Sequence, residues 1–261
     1  MYDQSIGALA LGEAYGITRD EKLSLPLRRA TDFLIKAQNP KTGGWRYQPH
    51  PSLTHAGDLS VSGWVIMALR SAYASGISVK NETIKLSQSF VDSVSAGPNN
   101  GKYKYISNKV PNFCMTSVGM YCQQLFGIPS ASLRQIESAS YIALHLPREQ
   151  QKNYYYWYYG TLTTFLHGGE VWYDWNEKMV PIFLEKQNAD GSWKPEGNRA
   201  TKEGTHVTTC WAALSLMVYY RYLPMTRGRI NLMTERGTPK VKTNGTPRIN
   251  LNSKTLKQKK K

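Results

Sequence analysis

One style of segment recurs five times along this chain, and that self-similarity limits the fold more than any other feature. The segments are YDQSIGALALGEAYG (2–16), GDLSVSGWVIMALRSAYASG (57–76), NFCMTSVGMYCQQLFG (112–127), YYYWYYGTLTTFLHGG (154–169) and THVTTCWAALSLMVYYRYL (205–223). Most open on a polar or capping residue, namely Asp3, Asp58, Asn112 or Thr205, and then run through small residues into Leu, Met and aromatics. Their starts recur every 45 to 55 residues. That spacing is too long for a tetratricopeptide period and fits a helix pair plus a long connector. Residues 61–69, Val-Ser-Gly-Trp-Val-Ile-Met-Ala-Leu, are apolar or small nearly all round. A helix of that kind must be buried on most sides.

The intervening segments follow a different plan. LPLRRATDFLIKAQ (25–38) places Leu27, Ala30, Phe33, Leu34 and Ala37 on one stripe at helical spacing, with Arg28, Arg29, Asp32 and Lys36 elsewhere. WNEKMVPIFLEKQ (175–187) repeats it, with Pro181 marking a kink or a late helix start. Buried helix followed by amphipathic helix, several times over, predicts an all-α protein of two layers. The expected form is an inner ring of helices wrapped by an outer ring, a complete or incomplete α/α toroid, with an open solenoid as the alternative.

Length and composition agree with a single large domain. The chain has 261 residues, 41% apolar and 11% aromatic, which suffices for a sizeable core. No apolar run reaches the roughly 18 residues of a membrane span. The first residues lack the basic flank and cleavage site of a signal peptide, so the default expectation is a cytoplasmic protein. The three cysteines, Cys114, Cys122 and Cys210, are too few and too scattered for a disulfide framework, and none forms a Cys-x-x-Cys pair.

The net charge of +15 sits mostly in the last 36 residues, 226–261, which carry eleven Lys or Arg and one acid, Glu235. This tail is poor in aromatics and has no helical period, so the expected domain is 1–225 and the tail is read as disordered. Counterion release would let it touch nucleic acid or an anionic membrane surface, although a solubilising role is the preferred reading.

Two short strings share one grammar. QNPKTGGWRY (38–47) and QNADGSW (187–193) each start Gln-Asn and end in a Gly turn closed by Trp. Gly43 and Gly44, or Gly191, can stop an outer helix with a positive φ. Gln38 or Gln187 can satisfy orphan backbone groups there, and Trp45 or Trp193 folds back as an apolar plug with one donor. A degenerate copy at 90–103 has Ser95 in the Gln position and Tyr103 in the Trp position. The expectation is a clip that joins one repeat to the next.

The string Arg29-Ala30-x2-Phe33-Leu34-x3-Gln38 followed by Gly43-Gly44-Trp45, and the ending Gln187-x3-Gly191-x-Trp193, resemble the QW motif of the squalene cyclase and prenyltransferase repeat family. GGWRY, GDLSVSGW, YYWYYGT and VYYRYLP look like planctomycete-type repeat proteins of unknown function. The resemblance covers about residues 1–225. It implies an α/α toroid of helical hairpins with a central cavity, and in that subfamily further repeats usually precede a segment like 1–16.

The family's chemistry is carried only in part. The clustered Asp-x-Asp-Asp of squalene-protonating cyclases is absent, and Asp58 is a lone acid at a helix start, where an N-cap is its ordinary role. Asp58-x-Ser60-x-Ser62-x-Trp64 resembles the zinc-site string of protein prenyltransferases except at the ligand cysteine, and His206-x3-Cys210 resembles their histidine string. Serine is a poor zinc ligand, so no metal or cofactor is expected. Cys122-Gln123-Gln124 lacks the thioester spacing and reads as a helix-borne core cysteine. Asp58 and His206 remain the catalytic candidates. The cavity-lining candidates are Asp3 in the first segment, Ser62 and Trp64 in the second, and Thr116 in the third. Tyr154, Trp157 and Tyr158 join them from the fourth, and Thr209 and Trp211 from the fifth. On a helix Tyr154, Trp157, Tyr158 and Thr161 share one face, and Tyr155, Tyr159 and Leu162 another. The expected function is binding of an apolar ligand, with isoprenoids among the candidates, or of a partner segment. An active cyclase or prenyl-transferring enzyme, or an interaction module tethered by the basic tail, are the alternatives.

Overall fold

The computed structural model describes residues 1–49, 56–150, 153–195 and 200–220. The basic tail and the boundary placed at residue 225 lie outside them. The protein is all-α. Its helices are α1 (Tyr2–Thr18), α2 (Ser24–Lys36), α3 (Leu59–Ala74), α4 (Asn81–Ser93), α5 (Phe113–Leu125), α6 (Leu133–Ala143), α7 (Tyr154–His167), α8 (Gly169–Lys186) and α9 (Ala200–Met217). The chain bends at Gly204 in α9, where φ is 64°. A two-residue antiparallel ribbon pairs β1 (Ser95–Ala96) with β2 (Lys102–Tyr103). Among the described residues no helix is long and apolar enough to cross a membrane.

The helices sort into two layers. The odd-numbered ones touch in order, α1 to α3, α5, α7 and α9, while α2, α4, α6 and α8 pack behind them. The row is curled, because Trp211 of α9 meets Trp64 of α3 with ring centroids 5.6 Å apart. The alternation of apolar and amphipathic segments is thus an alternation of layers. In α3 every residue from Leu59 to Ala72 is buried. The end helix α1 buries only Ser5, Ala8, Leu9, Gly12 and Glu13, so Asp3 is exposed rather than turned inward. The stripe on α2 also differs from expectation. Leu27, Thr31, Leu34 and Gln38 are buried, whereas Phe33 is 42% exposed. The true stripe follows i, i+4, i+7 and i+11, and Phe33 falls on its shoulder. Pro181 lies inside α8.

The inner helices α3, α5 and α7 start on side-chain caps. Asp58, Asn112 and Asn153 accept from the N–H three residues on, at Val61 (2.9 Å), Met115 (2.9 Å) and Tyr156 (3.1 Å). Each satisfies a donor that the helix cannot.

The clips occur as three copies of one geometry. The backbone N–H of the closing aromatic donates to a hydroxyl in the first turns of the next inner helix, four residues after the cap in α3 and α5 and five after the bend at Gly204 in α9. Trp45 donates to Ser62 Oγ (2.9 Å), Tyr103 to Thr116 Oγ1 (3.1 Å) and Trp193 to Thr209 Oγ1 (3.0 Å). In the first two, the cap residue's N–H returns to the aromatic's carbonyl, Asp58 to Trp45 (2.9 Å) and Asn112 to Tyr103 (3.1 Å). The indoles reach back to the outer helix, Trp45 Nε1 to the Leu34 carbonyl and Trp193 Nε1 to the Phe183 carbonyl, both at 2.8 Å. Gln38 Nε2 donates to Gly43 O, and Gln187 Nε2 to Gly191 O. Gln38 goes further, reaching Thr83 O (2.9 Å) and Ser87 Oγ (3.2 Å) on α4. The Ser95 copy lacks that reach. There Glu137 of α6 accepts from the N–H groups of Asn99 (2.9 Å) and Gly101 (2.8 Å) instead.

The hydroxyls of Ser62, Thr116 and Thr209 therefore bond the preceding clip, which corrects their expected place in a cavity wall. Thr116→Val keeps the shape and removes the acceptor. It is expected to cost about 1–3 kcal/mol, the penalty for a buried N–H left unmatched at Tyr103. Urea unfolding of the variant checks this, and a change below a few tenths of a kcal/mol would contradict it.

Candidate functional site

The inner helices begin at a common rim, and Asp58 is its best-connected residue. It is fully buried. Besides capping Val61, its Oδ1 accepts from Ser60 Oγ at 2.7 Å. Ser60 Oγ lies 2.6 Å from Tyr2 OH. Since the serine proton points to the carboxylate, Tyr2 is the donor in that pair. Asp58 Oδ2 faces Arg46 Nη1 at 3.7 Å, and the Arg46 guanidinium lies over the rings of Tyr47 (5.4 Å) and Tyr105 (6.0 Å). Tyr47 and Tyr105 join their hydroxyls at 2.7 Å. Burial first, then the Tyr47 hydroxyl, pushes the Tyr105 phenol up from its ordinary range. Oδ1 of Asp58 thus serves the helix start and Ser60, while the buried Oδ2 has the Arg46 ion pair and no hydrogen-bond partner among the described residues.

His206 is placed elsewhere in chemical terms. It is exposed on α9, with Nε2 4.0 Å from Cys210 Sγ. No hydrogen bond or ion pair joins it to Asp58, and no three His, Cys, Asp or Glu side chains gather among the described residues. Cys122, by contrast, is buried within α5, where desolvation raises its thiol.

Inside the rim the rings of three inner helices converge. Trp64 stacks on Tyr158 (5.9 Å, 13°) and meets Tyr159 edge-on (5.8 Å). Trp211 closes the group against Trp64, Tyr155 (5.6 Å) and Tyr158 (5.2 Å). Tyr121 of α5 meets Tyr159 at 6.3 Å. Three of the expected lining residues, Trp64, Tyr158 and Trp211, are therefore brought together. Tyr154 and Trp157 are not. Both pack on Phe183 of α8, at 5.9 and 5.7 Å, because they stand on the side of α7 that meets the outer layer. Their place inside is taken by Tyr155 and Tyr159, whose shared helical face was visible in the sequence.

Other buried groups near these rings are polar. Arg70 of α3 is 2% exposed. Glu13 of α1 is buried too, and its Oε1 accepts from Ser71 Oγ at 2.5 Å. Burial dominates the titration here. It lowers Arg70 and raises the phenols of Tyr121, Tyr158 and Tyr159 well out of their ordinary range. Arg70 Nη1, Tyr121 OH, Tyr159 OH and Trp211 Nε1 are buried without a hydrogen-bond partner among the described residues. The sequence signal for Arg70 was its position, the one charged residue within the otherwise apolar Leu59–Ala74.

This architecture defines a class, an all-α protein of two-layer helical repeats with an aromatic interior. No family model matches the chain, and a search of curated proteins gives no match.

Proposed function

We propose that this chain is a binding protein of the squalene cyclase and prenyltransferase repeat type, a toroid-like module whose interior takes an apolar, isoprenoid-like ligand or a partner segment of the same character. The observation that carries the reading is the convergence of Trp64, Tyr158, Tyr159 and Trp211 from three helices. Two of them, Tyr159 and Trp211, also present a buried donor with no hydrogen-bond partner among the described residues. Aromatic walls with a few convergent polar groups are what small apolar ligands use, and a donor left unmatched in a core costs about 1–3 kcal/mol. The non-catalytic part of the proposal draws on Asp58 as the cap of α3 and on the exposed His206, whose Nε2 faces Cys210 Sγ at 4.0 Å.

Titration with farnesol is expected to change tryptophan fluorescence saturably, with a micromolar dissociation constant. No saturable change with farnesol or squalene would overturn the binding reading. Product formation from squalene or a prenyl diphosphate, followed by mass spectrometry, would overturn its non-catalytic part.

A further inference from the structure

Arg70 is the group that packing alone explains least. Its guanidinium cannot shed its charge in a protein and carries five donors in a planar fork. At 2% exposure it has no salt bridge or hydrogen bond to a described residue, and Nη1 is without a partner. An unpaired buried charge is among the most costly features a core can hold, and an apolar side chain of similar volume would serve packing better. Burial dominates its titration, and Tyr121, Tyr73 and Glu13 act on it in the opposite direction. Tyr121 is fully buried with its hydroxyl also unmatched, and its ring leads through Tyr159 to Trp64.

We propose that Arg70, assisted by Tyr121, receives the carboxylate head of an amphipathic ligand whose apolar chain lies against Trp64, Tyr159 and Trp211. The inference rests on the apolar-ligand reading above and narrows it. A carboxylate matches the guanidinium fork with two parallel hydrogen bonds. The charge count favours a single negative charge. Glu13 already stands close enough to act on Arg70 and is bonded to Ser71. A diphosphate would therefore bring several charges to a group that holds one cation, Arg70, among the described residues.

The test compares dodecanoate with 1-dodecanol by calorimetric titration of the full chain, in the wild type, Arg70→Met and Arg70→Lys. Dodecanoate is expected to bind the wild type at least tenfold tighter than dodecanol. Arg70→Met should abolish that preference and leave dodecanol within twofold. Arg70→Lys, which keeps the charge without the fork, should retain part of it and serves if the Met variant does not fold. Equal wild-type affinities, or a preference that survives in Arg70→Met, overturn the assignment of Arg70 and leave the apolar-ligand reading standing. Failure of both probes to bind the wild type overturns both. Dodecyl phosphate binding tighter than dodecanoate overturns the single-charge argument.

Discussion

Gly43→Ala should destabilise the protein by about 3–5 kcal/mol, while Gly191→Ala, at the same place in the other clip, should cost only about 1–2 kcal/mol. Both glycines have a left-handed backbone, with φ of 78° and 84°. An added Cβ therefore strains each by a similar amount, about 1–2 kcal/mol. Their surroundings differ. A Cβ on Gly43 would stand 2.0 Å from the carbonyl oxygen of Leu86, on the backbone of α4, whereas one on Gly191 meets nothing nearer than Gln187 Nε2 at 3.9 Å. The first clip is pressed against the next outer helix, so α4 must move. That adds about 1–3 kcal/mol or more. Urea midpoints with unchanged slopes measure the difference. Equal losses at the two sites would show that the backbone of α4 yields freely, and that the clip is not the rigid joint described above.

The comparison also shows what the sequence could and could not disclose. The layers were legible because burial on all sides leaves a compositional trace. Residues 61–69 carry no polar face, and α2 and α8 do. The clips were legible because Gly, Gln and Trp each have a separate physical task at a helix end. What failed was direction. Ser62, Thr116 and Thr209 are small polar residues on inner helices, a pattern shared by a cavity wall and by an acceptor for a neighbouring backbone N–H. Only the fold shows that Trp45, Tyr103 and Trp193 claim them. The six consecutive aromatics from Tyr154 to Tyr159 line every side of α7, so periodicity could not say which face met α8. Arg70 was visible as a lone charge, but its lack of a partner among the described residues is a property of packing that no single-chain pattern contains.

That ambiguity on α7 becomes a measurement when two tryptophans are compared. Trp64→Leu and Trp157→Leu each remove a ring that is at most 3% exposed, and each is expected to cost about 2–5 kcal/mol. Their effects on ligand binding should part. Trp64 belongs to the interior group with Tyr158, Tyr159 and Trp211. Trp157 packs on Tyr154 and Phe183, toward the outer layer. Farnesol affinity should therefore fall at least tenfold in Trp64→Leu and stay within twofold in Trp157→Leu, both assayed well below their unfolding temperatures. The stability loss acts as an internal control. If binding simply tracked stability, the two variants would weaken together, and the interior would be a packed core rather than a site. If only Trp157→Leu lost affinity, the ligand would lie between α7 and α8, and the assignment of the inner face would be wrong.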